Sequence, residues 1–235
     1  VSDTPEPDHP DGPHPSNEPD LDHARRDEVG VGPHPRPWPA DPRLDPELLA
    51  SGDQRNVVDG YRYWSVEAIR ADLDTRRHPF HVIIENWRHD LNIGTVVRTA
   101  NAFLAAEVHI VGRRRWNRRG AMVTDRYQHI RHHTDPDALA RWAQERDLPL
   151  IGIDNLPGSL PLGSRPLPRR CGLVFGQEGP GLSSAMREVL AECRSIPQYG
   201  STRSINAGVA SGIAMYTWVA QHAGPPPGGP DQDPG

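Results

Sequence analysis

Three short stretches of this 235-residue chain combine residue types that can do chemistry. The first is Asn92-x-Gly94-x-x-x-Arg98, just after an apolar run and at the start of a helix pattern. The rest of that helix is apolar (Ile93, Val96, Val97, Ala100, Phe103). A guanidinium among such residues is costly unless an anion or a hydrogen-bond network receives it. The plainer alternative is an arginine on a solvated face, or one paired to Glu85. The second stretch is Gly176-Gln177-Glu178-Gly179-Pro180-Gly181. Its glycines let a ligand approach main chain that side chains would block. It is neither the lysine-bearing phosphate loop nor the dinucleotide glycine fingerprint. Glu178 would repel phosphate and suits a ligand with positive charge or hydroxyl donors; the plainer alternative is a loop acid capping the next helix. The third is Ser204-Ile205-Asn206, which closes a polar loop and opens a long final helix. Two strand–turn–helix passages in tandem, each with free helix N–H groups, imply a small-molecule pocket lined by main chain.

A fourth stretch, 113–133, holds seven arginines and one acid, interleaved with Trp116, Tyr127 and three histidines. Arginines fork onto phosphates and aromatics stack on bases. Arg113, Arg114, Arg115, Arg118, Arg119 and Arg126 are therefore the candidate RNA contacts; a solvated arginine-rich loop is the alternative. His132-His133 lack a completing cysteine or acid cluster. His9, His14, His23 and His34 are spaced too widely, with prolines between them, to make a site. No metal is expected.

The elements that must position these residues follow from periodicity. Phe80 to Glu85, Val108 to Val111, Leu150 to Ile153 and Gly172 to Phe175 read as buried strands, with a short fifth at Ser195 to Pro197. A polar loop is expected over 86–91. Helices are expected after Ser65, from Asn92, after Asp135-Pro136, after Ser183 or Ser184, and after Asn206. The alternation predicts an α/β fold with an open, mostly parallel sheet and helices on both faces.

Composition bounds the rest. Apolar residues make up 35% and prolines number 26, so part of the chain is not expected to pack. Residues 1–64 carry 14 acids and 6 bases, while 65–235 carry 17 acids and 20 bases. That is an acidic tail on a mildly basic body, an asymmetry compatible with nucleic acid. Residues 1–60 are expected to be a disordered acidic, proline-rich tail, with Trp38 and the 44–49 patch able to dock locally. The folded unit is expected over 61–223 with a helical extension at its start, and 224–235 as a second tail. Cys171 and Cys193 are expected to be reduced, packed thiols. With no membrane-length apolar run and no leader-like opening, a soluble, cytoplasmic protein is expected.

Together, three segments resemble the SpoU/TrmH family of RNA ribose 2′-O-methyltransferases, within the SPOUT superfamily. They are Asn92-Ile93-Gly94-Thr95-Val96-Val97-Arg98-Thr99-Ala100, Leu173 through Ser183, and Ile196-Pro197-Gln198 with Ser204 through Ala210. Each is weak alone; all three in the family's order, over about residues 80 to 222, are specific. The resemblance implies a trefoil-knotted fold, with the knot built from 171–210, although true knots are nearly absent among proteins. It implies S-adenosylmethionine, held near Ile153, Gly176, Ile196, Ile205 and Asn206. It implies a homodimer with Arg98 at the subunit interface. A ribose hydroxyl would attack the methyl in line, from about 3–3.5 Å. Arg98 corresponds to the family's catalytic arginine. A guanidinium is a poor base, so fixing phosphate and stabilising the developing alkoxide is the better role. Asn92, Glu178, Ser204 and Asn206 would position it, the ribose and the cofactor, and Glu178 would take the proton through water. Two departures stand out: Ile205 replaces a common leucine, and the acidic tail is no RNA-binding domain. tRNA is the expected substrate, because no rRNA-reading domain is added. An rRNA enzyme, a non-catalytic RNA binder of the same fold and an unrelated nucleotide-binding enzyme are the alternatives.

Overall fold

A computed structural model describes residues 30–86 and 92–224. Seven strands form one sheet: β1 Phe80–Asn86, β2 Val108–Gly112, β3 Ile130–His133, β4 Leu150–Ile153, β5 Leu160–Pro161, β6 Cys171–Phe175 and β7 Glu192–Ser195. Their spatial order is β3-β2-β1-β6-β4-β7-β5, with every pairing parallel. From β1 the chain moves outward to β2 and β3, whereas β6 leads the other way to β7. Neighbouring strands with opposite exits leave a crevice at their carboxyl ends, the usual ligand position in open α/β sheets.

Among the described residues six α-helices accompany the sheet: α1 Pro46–Ser51, α2 Val66–Asp74, α3 Asn92–Ala102, α4 Pro136–Gln144, α5 Ser184–Glu188 and α6 Ala207–His222. Side chains of a strand alternate between faces. Val82 and Ile84 therefore join Ile93, Val96 and Val97 of α3 and Met215 and Trp218 of α6 in one core. Ile83 and Val174 join Leu139 and Trp142 of α4 and Met186 of α5 in the other. Caps fall where the sequence placed them: Ser65 Oγ, Asp135 Oδ1 and Ser183 Oγ accept from Ala68, Ala138 and Met186 N–H. Burial pushes the Cys171 thiol up to about 12 and raises Cys193 as well. Both cysteines are free thiols.

Several expectations need correction. Residues 30–60 are not a featureless tail. Val31 bridges Asp53, Leu44 bridges Trp64, and Asp45 caps α1. Asp53 is fully buried and its carboxylate meets Arg55 at 2.6 Å. Val57, Tyr61 and Trp64 pack against Ile69, Leu73 and Tyr127. A few aromatics and one buried ion pair hold this strap where aliphatic residues are scarce. The fifth predicted strand lies earlier than expected, at Glu192–Ser195, so that Cys193 sits in it. Its charges hid it: Arg194 is buried and bonds Glu192 at 2.7 Å, two residues away in the same strand. The arginine-rich stretch also ends in an unpredicted edge strand, β3. Residues 1–29, 87–91 and 225–235 lie outside the described residues, and with them His9, His14, His23, most of the predicted 86–91 loop and nearly all of the second tail. Among the described residues no helix is long and apolar enough to cross a membrane.

Candidate active site

β6 ends in the glycine turn, and packing dictates its residues. A Cβ on Gly176 would fall 2.1 Å from Gly181 C and 2.3 Å from Leu182 N. Gln177 and Gly181 exchange backbone hydrogen bonds of 3.1 and 3.0 Å, which closes the turn. Gly181 has φ +68°, and Asp154 beyond β4 accepts the Leu182 N–H at 2.9 Å. Glu85, buried near the end of β1, accepts from Ser183 N at 2.8 Å and Ser183 Oγ at 2.6 Å. The acid that fastens the start of α5 is therefore Glu85. Glu178 stays exposed on the turn.

Glu178 faces two amides from distant parts of the chain. Asn92 Nδ2, at the start of α3, donates to Glu178 Oε2 at 2.8 Å. Asn206 Nδ2 donates to Asn92 Oδ1 at 2.9 Å and to Glu178 Oε1 at 3.3 Å. Asn206 Oδ1 also caps α6, accepting from Gly208 N and Val209 N at 2.9 and 3.3 Å. One asparagine thus locks a helix start to the other two motifs. Hydrogen bonds to an ionised carboxylate are stronger than neutral ones.

This triangle borders a cavity of about 420 Å³ at the carboxyl ends of β4 and β6. The five residues expected to hold a cofactor, Ile153, Gly176, Ile196, Ile205 and Asn206, all line it, as do Glu178 and Ser204. Asn92 reaches it through its hydrogen bonds. Arg98 does not line it: the side chain is exposed on α3, with no hydrogen bond or ion pair among the described residues. The sequence reading missed Asp154, Asn155, Arg187 and Arg203, which also line the cavity. A polar pair directly after the apolar β4 was the available signal for the first two.

The arginine-rich segment lies alongside. Asn86 Nδ2 donates to the carbonyls of Arg113 and Arg115 at 2.7 and 2.9 Å. A Cβ on Gly94 would meet Gly120 N and Ala121 N at 2.8 Å, so the motif glycine admits this segment against α3. Arg113, Arg114, Arg115, Arg118 and Arg126 are exposed, and Arg119 lies in the 3-10 turn Arg119–Ala121. Arg118 stands 5.6 Å from the Trp116 ring and 3.5 Å from Asp125. Arg113, Arg114, Arg115, Arg118 and Arg126 do not line the cavity.

Comparisons with known proteins agree with one another. The sequence pattern of the SpoU rRNA Methylase family matches residues 79–216. The putative TrmH family tRNA/rRNA methyltransferase YacO of Bacillus subtilis is 26% identical over 192 residues, covering 74% of each chain. The 23S rRNA (guanosine-2′-O-)-methyltransferase RlmB of Pectobacterium atrosepticum is 30% identical over 186 residues, covering 76% of this chain and 74% of its own. An uncharacterized tRNA/rRNA methyltransferase of Mycobacterium ulcerans is 32% identical over 164 residues, and this chain spans only 49% of its length. Among solved structures, the A. aeolicus TrmH/SpoU tRNA modifying enzyme matches with TM-score 0.59 at 22% identity, covering 66% of this chain and 81% of its own. The SpoU methyltransferase AviRb of Streptomyces viridochromogenes, solved with AdoMet, matches with TM-score 0.54 at 24% identity, covering 64% and 60%. Sequence pattern, sequence similarity over 76% of the chain and fold converge: this chain belongs to the SpoU rRNA Methylase family.

Proposed function

We propose that this chain transfers a methyl group from S-adenosylmethionine to a ribose 2′-hydroxyl of RNA, with tRNA as the substrate. The observation that carries the reading is the Asn92–Glu178–Asn206 triangle at the border of the cavity. It joins all three motifs at one point. The cavity suits the cofactor in size, since small-molecule sites run from roughly 300 to 1,000 Å³. It also suits it in chemistry. Ile153, Phe175, Ile196 and Ile205 offer apolar surface for a purine, and Glu178 offers negative charge for a sulfonium. When bound, the cofactor supplies an electrophilic methyl group.

The protein must hold the ribose and take its proton. Glu178 is the acid of the triangle, and its two oxygens are fixed by Asn92 and Asn206, so it is the proposed acceptor, acting through water. Ser204 is exposed at the cavity, where its hydroxyl can orient the sugar. Arg98 lies outside its own chain's cavity, exposed on α3, which packs beside α6. There Val209, Ile213 and Tyr216 are 54%, 38% and 62% exposed. We assign that face to a second copy of the chain, which would carry Arg98 to the partner's site to hold phosphate and stabilise the developing alkoxide. Threading of 171–210 as a knot belongs to the same proposal, as does RNA contact by Arg113, Arg114, Arg115, Arg118, Arg119 and Arg126. The similarity to a 23S rRNA enzyme favours rRNA as the second reading.

The test is incubation with methyl-tritiated S-adenosylmethionine and separate tRNA and rRNA pools. Label is expected in tRNA as an alkali-stable 2′-O-methyl nucleoside, reduced about 10²-fold or more in Arg98→Ala. Label in rRNA alone would move the substrate, and label on a base would overturn the ribose assignment.

A further inference from the structure

At the opposite end of the sheet from the cavity, three potential metal-donor atoms converge. His81 Nδ1, near the start of β1, lies 3.0 Å from His109 Nε2 on β2. Glu107 Oε2, one residue before β2, lies 3.6 Å from His109 Nε2 and 3.9 Å from His81 Nδ1. Both carboxylate separations exceed a hydrogen bond. They are close to the spacing of two ligands that share one ion. A triangle with these sides has its centre about 2.1 Å from every corner, within the roughly 2.0–2.2 Å range of zinc bonds to nitrogen and oxygen.

The surroundings are built in the same sense. His109 is fully buried, and its other ring nitrogen, Nδ1, lies 2.9 Å from His133 Nε2. A ligating histidine normally donates through its second nitrogen, which fixes its tautomer and ring angle. Trp142 closes the site from α4, its ring 4.3 Å from that of His109 and 5.1 Å from that of His81. Arg131 Nη2 holds the other carboxylate oxygen, Glu107 Oε1, at 3.1 Å. Arg131 Nε also reaches Oε2 at 3.3 Å and would have to yield it. Glu107 also lines an open cleft of about 510 Å³.

We infer that His81, His109 and Glu107 form a binding site for one divalent transition-metal ion, zinc foremost. Two imidazoles and a carboxylate are a ligand set for zinc and its neighbours and not for magnesium or calcium. The ion would pin the start of β1 to the start of β2. It takes no part in methyl transfer, whose cavity lies at the other strand ends.

The test uses the full chain, stripped with chelator and titrated with Co²⁺ and Zn²⁺ by equilibrium dialysis and visible absorption. One ion per chain is expected, with the intense d–d bands of low-symmetry cobalt. Glu107→Gln and His81→Asn, both at partly exposed positions, should each lose the bands and weaken binding at least tenfold. His133→Ala should weaken binding by about 10–100-fold, as loss of an outer partner does. Circular-dichroism melts identify which variants are folded, and a folded one suffices. No stoichiometric ion on the wild type, or an ion and bands that persist in a folded Glu107→Gln or His81→Asn protein, would overturn the site. Persistent binding would place the metal on the other histidines of the chain.

Discussion

Glu178 sits on an exposed turn yet accepts hydrogen bonds from residues 86 and 28 positions away. A solvated loop acid gains little from such an arrangement, whereas a proton acceptor needs its oxygens aimed. Replacing Glu178 with Gln removes the charge and one of the two acceptors that face the asparagine amides, and should lower turnover about 10²-fold, the lower end of general-base effects. Full turnover at every pH in single-turnover assays would remove Glu178 from the chemistry. The types of these residues were legible in the sequence, because an acid inside a glycine turn and an asparagine at a helix start are local features. Their meeting was not. Nothing in the spacing says that Asn92 and Asn206, 114 positions apart, share a hydrogen bond. Arg98 was half legible. The apolar pattern marked it as out of place in a buried helix, but the side chain lies on the exposed face.

At the scale of elements, the parallel strands β1, β2, β4 and β6 were legible because each is an apolar run bounded by polar residues. β7 was legible only as a strand displaced toward Pro197, and β3 and α1 were not legible, since their polar residues are satisfied by contacts that periodicity does not encode. The 30–64 strap shows this best. Burial alone would raise the Asp53 carboxyl, but the Arg55 guanidinium and the N–H groups of Arg55 and Tyr63 outweigh it and hold it below its ordinary value. A lowered folded-state value stabilises the fold above the unfolded carboxylate value of about 3.9, and that stability is lost as pH falls through the folded value. The strap should therefore stay closed from pH 8 to about 5 and open only below about pH 4. Asp53→Asn should cost about 3 kcal/mol at neutral pH, as breaking a buried pair does. Denaturant titrations followed by tryptophan fluorescence would show both. Equal stability of the two proteins at pH 7 would contradict this role for the pair.

At the scale of the molecule, the cavity and Arg98 lie on different parts of one chain, and in the proposed reaction a second copy brings them together. Arg98→Ala and Gly176→Ala should each be inactive alone, one lacking the arginine and the other the cofactor cavity. Co-expressed as mixed dimers, they should recover activity, because one site then has both parts. Isolated mixed dimers without activity would place Arg98 in its own chain's reaction or in none. The family's three segments were legible because they are contiguous. The proposed threading of 171–210 rests on the family likeness alone, since the order in which a chain passes through a loop has no periodic signature. The most direct measurement is calorimetric titration of the cavity with S-adenosylmethionine. One site per chain is expected on the wild type, with unchanged affinity in Arg98→Ala and no binding by a folded Gly176→Ala, whose new Cβ would lie 2.1 Å from Gly181 C. A wild type that does not bind, or a folded Gly176→Ala protein that binds as tightly, would contradict this.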